Sequence, residues 1–168
     1  NLVTFQYLPG VALGLVLINI VGQFVGAGEP EQAKFYTRKV IAVNYGLLLV
    51  ICTCMAVFRS RVVGIYNLSP EASVLAQKLL LAHSCGMVLW PLAFALPNTL
   101  RAGLDAKFTM MVSVFSMWVF RIGLGYVFVK GLHMSVLGIW YAMFVDWIFR
   151  LVVFVWRFQG FSARVRQV

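Results

Sequence analysis

The sequence predicts an all-α fold, a polytopic bundle of about five membrane-spanning helices. Three observations predict it. Ala, Val, Ile, Leu, Met, Phe, Trp, Tyr and Cys make up 62% of the 168 residues, and the mean hydropathy is +0.90. Only 11% of residues are charged, where a soluble domain carries about 25%. The apolar residues fall into five long runs, and a hydrocarbon core of about 30 Å takes about 20 residues per crossing. The net charge of +9, from 14 Lys and Arg against 5 Asp and Glu, would point to nucleic acid in a soluble chain. Here the basic residues stand between and beside the apolar runs and make no aromatic-interleaved face. The charge therefore reads as topology, the expected partner is the lipid bilayer, and no nucleic acid is expected.

The first run, residues 3–24, is uncharged, and Gly10 and Gly14 stand four apart, a spacing that lets a second helix approach closely. Gln6 and Asn19 are its polar residues, expected to face protein or a cavity. Gly26-Ala27-Gly28 then reads as a tight reversal in which Gly26 and Gly28 permit positive φ. Behind it, a short amphipathic helix is expected to end near Lys39, with acids near its start and bases near its end. The second span, residues 40–58, carries Cys52 and Cys54. Two apart on a helix, they face different sides, and with no His or acid at ligand spacing they and Cys85 read as packing residues and no metal site is expected.

Residues 59–73 form a longer connection, ending in Ser69-Pro70-Glu71, a helix start with proline at the first helical position. The third span, residues 74–96, holds His83, Ser84, Gly86, Trp90 and Pro91, with Pro97 just beyond. Each proline removes a backbone donor, so a bent or broken helix is expected with Pro91 and Pro97 as its hinge. The short reversal of residues 101–107 leads into the fourth span, residues 108–129, and the fifth covers residues 136–156. Arg101 and Asp105 are expected to pair across the reversal, with Arg101 also capping the carbonyls of the third span. A polar, basic tail occupies residues 157–168.

Basic residues divide by side. Lys34, Arg38, Lys39, Arg101, Lys107, Arg157, Arg164 and Arg166 fall on one face and Arg59, Arg61, Lys78 and Lys130 on the other. The first set is the larger, which puts it and the C-terminus in the cytoplasm. Arg121 and Asp146 belong to neither set. At 1.5 Å per residue they lie roughly 20 Å and 15 Å deep from the same side. An unpaired charge at such depth is costly, so the two are expected to pair between adjacent helices, with Arg150, one turn after Asp146, as a competitor. Such a pair serves either as a static tie or in coupling to an ion.

Two segments resemble the MATE family, the multidrug and toxic compound extrusion transporters, in its bacterial NorM-like branch. Val21-Gly22-Gln23-Phe24-Val25-Gly26-Ala27-Gly28, followed by Glu31-Gln32-Ala33, is similar to the family's G-Q-x-x-G-A-G turn. Leu100-Arg101-Ala102-Gly103-Leu104-Asp105 is similar to its L-R-x-x-G-D turn and runs on into Lys107-Phe108-Thr109-Met110 and Ser116 to Arg121. Gly138-Ile139-Trp140 through Asp146-Trp147 to Arg150 looks like the family's last helix. The resemblance implies a twelve-helix fold of two six-helix lobes, of which the 168 residues are a partial C-terminal lobe, helices eight to twelve. The N-terminal lobe of the same chain is then a missing partner.

The resemblance further implies a secondary active antiporter that exports small organic, cationic drugs or toxins in exchange for Na+ or H+ by alternating access, in the bacterial plasma (inner) membrane. The alternative within the same superfamily is a flippase for a lipid-linked substrate. No cofactor is implied beyond the coupling ion. NorM-type members place an acid in the third span, but Val88 to Leu92 holds no carboxylate, which shifts ion binding toward the missing lobe. His83, Met87, Trp90, Phe94, Asn98 and Met117 join Gln6 and Asn19 as candidate cavity residues, a soft aromatic and thioether wall for apolar cations. No catalytic residue is expected: there is no H-E-x-x-H, no G-x-S-x-G and no P-loop, and the two His and five acids are scattered.

Overall fold

A computed structural model describes residues 2–131 and 136–166 of the chain. Within them every regular element is helical. The connection expected over residues 130–135 and the end of the basic tail lie in part outside the described residues.

Helix α1 (Leu2–Gly26) buries Gln6, Gly10, Gly14, Leu17 and Val21, a stripe with steps of three and four that is one helix face. Helix α2 (Pro30–Val57) starts with proline at its first position and buries Pro30, Ala33, Thr37, Ile41, Asn44, Leu48 and Cys52. The expected short helix to Lys39 is thus not a separate element. The stripe keeps its phase through Lys39, so nothing interrupts the backbone ladder. Of the cysteines, Cys52 is buried and Cys54 and Cys85 are exposed, all with free thiols.

The two reversals share one hydrogen-bond pattern. At the first, Gly28 N–H donates to Val25 C=O at 3.1 Å and Glu29 N–H to Phe24 C=O at 2.8 Å. At the second, Leu104 N–H donates to Arg101 C=O at 3.2 Å and Asp105 N–H to Leu100 C=O at 2.9 Å. Each is a Schellman cap, whose pivot takes the left-handed conformation: Gly28 at φ 74° and Leu104 at φ 66°. Gly26, expected to share that role, is instead the last residue of α1. The carbonyls that Arg101 was expected to cap are satisfied by backbone amides, which leaves its side chain free to donate to Asn98 Oδ1 at 3.1 Å.

After α2 the chain kinks at Phe58 into a six-residue helix α3 (Arg59–Gly64), which the sequence did not announce, and turns through Asn67 at φ 46°. Helix α4 (Pro70–Gly86) begins as its sequence predicts, with Ser69 Oγ accepting from the Ala72 N–H at 3.4 Å and Pro70 at the first position. The third span then bends by 65° between Pro70–Gly86 and Pro91–Ala102. It bends without abandoning its backbone bonds. Val88, Leu89 and Trp90 donate to carbonyls three residues back, and Leu96 donates to Pro91 five residues back. A tight turn followed by a wide one redirects the axis while keeping polar groups paired, as a hydrocarbon surrounding demands. Helix α5 (Leu96–Ala102) completes the span; Pro91 stands at the bend, whereas Pro97, expected to share the hinge, lies buried within the second half of the span.

Helix α6 (Ala106–Ser116) continues into two wide-wound segments, Met117–Leu124 and Val127–Gly131. Helix α7 (Val136–Gln159) is followed by the short helix α8 (Phe161–Val165). Among the described residues four helices are long and apolar enough to cross a membrane, or up to five when the bent pair counts as one span. Leu49, Val50, Trp118 and Trp156 face outward, as lipid contact requires. The small-residue spacing of α1 acts as expected: a Cβ on Gly10 would come within 2.6 Å of Trp90, and one on Gly14 within 2.7 Å of Asn98. Gly10 and Gly14 thus seat α1 directly on the bent half of the third span.

Candidate functional site

The start of α1, the bent third span, the wide-wound stretch after α6 and the start of α7 line a half-open cavity of about 580 Å3, within the range of small-molecule sites. Tyr7, Trp90, Phe94, Trp140 and Trp147 contribute rings to its wall, alongside His83, Met143 and Arg121. The rings brace one another. Trp90 stacks on Tyr7 at 6.4 Å and on Phe94 at 5.5 Å, and Phe94 meets Trp147 edge to face at 5.5 Å. His83 stands edge-on to Trp140 and Trp147 at 5.3 and 5.7 Å. Packed this way, each ring limits the rotation of its neighbours.

A relay of hydrogen bonds sets which edge of His83 is a donor. Ser84 Oγ donates to the Leu80 carbonyl at 2.8 Å, so the atom of Gln6 that meets Ser84 at 2.6 Å must be the amide nitrogen. The Gln6 oxygen then faces His83 and accepts from Nδ1–H at 2.6 Å. Nε2 is left as the acceptor edge. Gln6 therefore acts from behind the wall rather than within it.

The structure does not bring Arg121 to Asp146. Asp146 is wholly buried, and its Oδ1 accepts from Arg150 Nε at 2.9 Å and from the Ser116 hydroxyl, while Oδ2 has no partner among the described residues. Arg150 also donates to the Ser113 carbonyl at 3.1 Å and lies 5.4 Å over the Phe94 ring. The reason is geometric. Residues four apart on α7 share a face, so Arg150 reaches Asp146 without crossing between helices, whereas Arg121 is exposed on the wide-wound segment and borders the open side of the cavity.

The expected Arg101–Asp105 pair is absent too. Asp105 accepts a two-pronged contact from Arg157, 2.7 and 3.1 Å, with Arg164 at 3.7 Å. Arg164 in turn donates to the Arg157 carbonyl. Gly103 is buried under Phe161, which leaves no room there for a Cβ. Nearby, Lys34 donates to the Gln159 carbonyl at 3.2 Å and Arg166 reaches Glu31 at 3.5 Å. Both reversals and the C-terminal segment thus meet at one end of the bundle, away from the cavity.

Of the candidate cavity residues, His83, Trp90 and Phe94 line the space. Met87 is buried instead beside Tyr45, Leu48 and Cys52. Asn98 is half-buried between Gly14 and Arg101. Asn19 is exposed on the outer face of α1, and Met117 is 41% exposed. Sequence reasoning missed Tyr7, Trp140, Met143 and Trp147. The spacing of the last three, at i, i+3 and i+7, is a helix-face signature that could have found them.

Membrane-length helices with an aromatic-walled, half-open cavity of small-molecule size between them define a multi-pass membrane protein. The MatE family profile matches residues 1–127. The chain belongs to that family, the MATE transporters. It is 23% identical over 160 residues to the probable multidrug resistance protein YoeA of Bacillus subtilis, covering 92% of this chain and 35% of the relative. It is 24% identical over 140 residues to the probable multidrug resistance protein NorM of the same organism, covering 83% and 31%. Against the uncharacterized transporter YisQ of Bacillus subtilis the figures are 27% over 149 residues, 87% and 32%. The chain spans about a third of the length of these relatives. No solved structure matches it.

Proposed function

We propose that these residues are part of the C-terminal lobe of a secondary active antiporter that exports small organic compounds, cationic drugs and toxins among them, in exchange for Na+ or H+ by alternating access. The observation that carries this reading is the half-open, aromatic-walled cavity between the helices of a MATE-family chain. Rings stacked at 5.5 to 6.4 Å suit flat, apolar cargo, and relatives bear the name of multidrug resistance proteins. The bent third span gives such a carrier a place to flex. Asp146 is already neutralised by Arg150, which favours a coupling ion held in the N-terminal lobe. The membrane is then the bacterial inner membrane, with the ion-paired end of the bundle and the C-terminus in the cytoplasm.

The test is transport by the complete protein in proteoliposomes. Ethidium should move against its gradient when a Na+ or a proton gradient is imposed, and dissipating the effective gradient should stop it. Ethidium that stays put under both gradients, while a fluorescent lipid-linked sugar crosses the bilayer, would replace the antiporter with a flippase.

A further inference from the structure

We propose that the bundle is built as two rigid units, with the cavity as the gap between them, opening and closing as they move. Helices α1 and α2 and the third span form one unit; α6, its wide-wound continuation and α7 form the other. At membrane depth the side-chain hydrogen bonds divide along this line. In the first unit every pair of spans is tied. Asn44 donates to the Gly10 carbonyl at 3.5 Å, Gln6 donates to Ser84 and accepts from His83, both at 2.6 Å, and Thr37 meets Thr99 at 3.2 Å. In the second, Ser116 donates to Asp146, and Arg150 donates to Asp146 at 2.9 Å, to Ser116 at 3.3 Å and to the Ser113 carbonyl at 3.1 Å. Among the described residues no side-chain hydrogen bond at that depth joins one unit to the other.

Rings are what cross the seam. Phe94 meets Trp147 edge to face at 5.5 Å, Arg150 lies 5.4 Å over Phe94, His83 stands on the edges of Trp140 and Trp147, and Phe144 lies against Gly86. Ring contacts attract over a range of offsets, whereas a hydrogen bond weakens steeply once its angle is lost. In lipid, helices are held together by packing and by hydrogen bonds. The seam lacks the second, and a half-open cavity of about 580 Å3 takes away from the first. Each unit supplies one side of that cavity, Tyr7, Trp90 and Phe94 facing Trp140, Met143 and Trp147. Polar ties between the units return at the end of the bundle that holds the reversals, where Lys34 donates to the Gln159 carbonyl at 3.2 Å and Arg166 reaches Glu31 at 3.5 Å. The reversal at residues 103–105 is also the covalent joint between the units. Bodies joined at one end and faced with rings elsewhere can part at the other, whatever the cargo or coupling ion.

The complete protein, in a background without its native cysteines, is spin-labelled at pairs of exposed positions in lipid nanodiscs, and distances are read by double electron–electron resonance. Val50→Cys with Val74→Cys lies within the first unit, and Tyr126→Cys with Tyr141→Cys within the second. Val74→Cys with Tyr141→Cys spans the seam at the cavity end, and Phe35→Cys with Trp156→Cys spans it at the end of the reversals. Each label replaces an outward-facing side chain, so the packing inside either unit is untouched. All labels lie within these 168 residues, so movement against the rest of the protein does not enter. Freezing traps slow collective motion as a spread of distances, and the Val74–Tyr141 distribution should be at least about twice as broad as the other three. A Val74–Tyr141 distribution as narrow as those within the units overturns the proposal. So does a pair within either unit, or the pair at the end of the reversals, that spreads as widely as the pair across the cavity.

Discussion

Single residues in this bundle are governed by how few polar alternatives the interior offers. Asp146 is wholly buried and Arg150 is 8% exposed, so removing the carboxylate strands a cation. Asp146→Asn should lower stability by about 3–5 kcal/mol, whereas Asp146→Leu combined with Arg150→Met should lose much less, because the pair then leaves together. Thermal unfolding in detergent distinguishes the two, and an Asp146→Asn protein as stable as the parent would show that the pair is not structural. That Asp146 has a buried basic partner was legible from the depth of the charge in the sequence. Which arginine it takes depends on the winding after Ser116, and that has no sequence signature. Ser84 illustrates the other kind of dependence. Ser84→Ala removes the hydroxyl that fixes the Gln6 amide, so that amide can rotate and His83 can present N–H rather than a lone pair to the cavity. Nitrogen NMR of labelled histidine should show mixed tautomers in the variant against a single Nδ1–H form in the parent.

At the scale of elements, the apolar runs made the long helices legible, and so did Ser69-Pro70 as a helix start and Pro91 as the site of a break. The continuity of α2 was not, because charged residues at Glu31, Lys34, Arg38 and Lys39 suggested a surface piece although the buried stripe runs on unbroken. Helix α3 and the wide-wound segments escaped for a different reason. Their backbone step is decided by what packs on them, and neither glycine nor proline spacing announces it. The contact between α1 and the bend was readable from Gly10 and Gly14. Gly10→Ala should place a methyl against Trp90 and cost about 1–3 kcal/mol of stability. Because Trp90 is also a cavity wall, the same variant should weaken binding of an aromatic ligand, whereas Gly22→Ala, with open space around it, should change neither. Equal behaviour of the two variants in thermal unfolding and ligand titration would refute this packing.

For the whole molecule, the positive-residue count grouped Lys34, Arg157, Arg164 and Arg166 on one side, and the structure gathers them at one end of the bundle with Asp105 and Glu31. The sequence hid the partner choice within that end, since Asp105 lies four residues from Arg101 but 52 from Arg157. Asp105→Asn should loosen the end of α7, whose Arg157 makes both hydrogen bonds to the carboxylate. Hydrogen bonds to charged groups contribute about 1.5–3 kcal/mol, and partial exposure argues for the low end, so limited trypsin should cut at Arg157 about tenfold faster in the variant. An unchanged cleavage rate would mean that Phe161 on Gly103 anchors the helix without the ion pair. This tied end has a mechanical consequence. With both reversals and the last helix fastened together there, relative motion of the helices must grow toward the opposite rim, where the cavity lies. The first turns of α1 are also held to the third span, by Gln6 on Ser84 and His83, so the helix left to swing is α7, 24 residues and roughly 36 Å long. A tilt of about 10° pivoted at the fastened end sweeps its start by roughly 6 Å. The bundle works as a book bound along one edge, and the page that lifts is the one carrying Trp140.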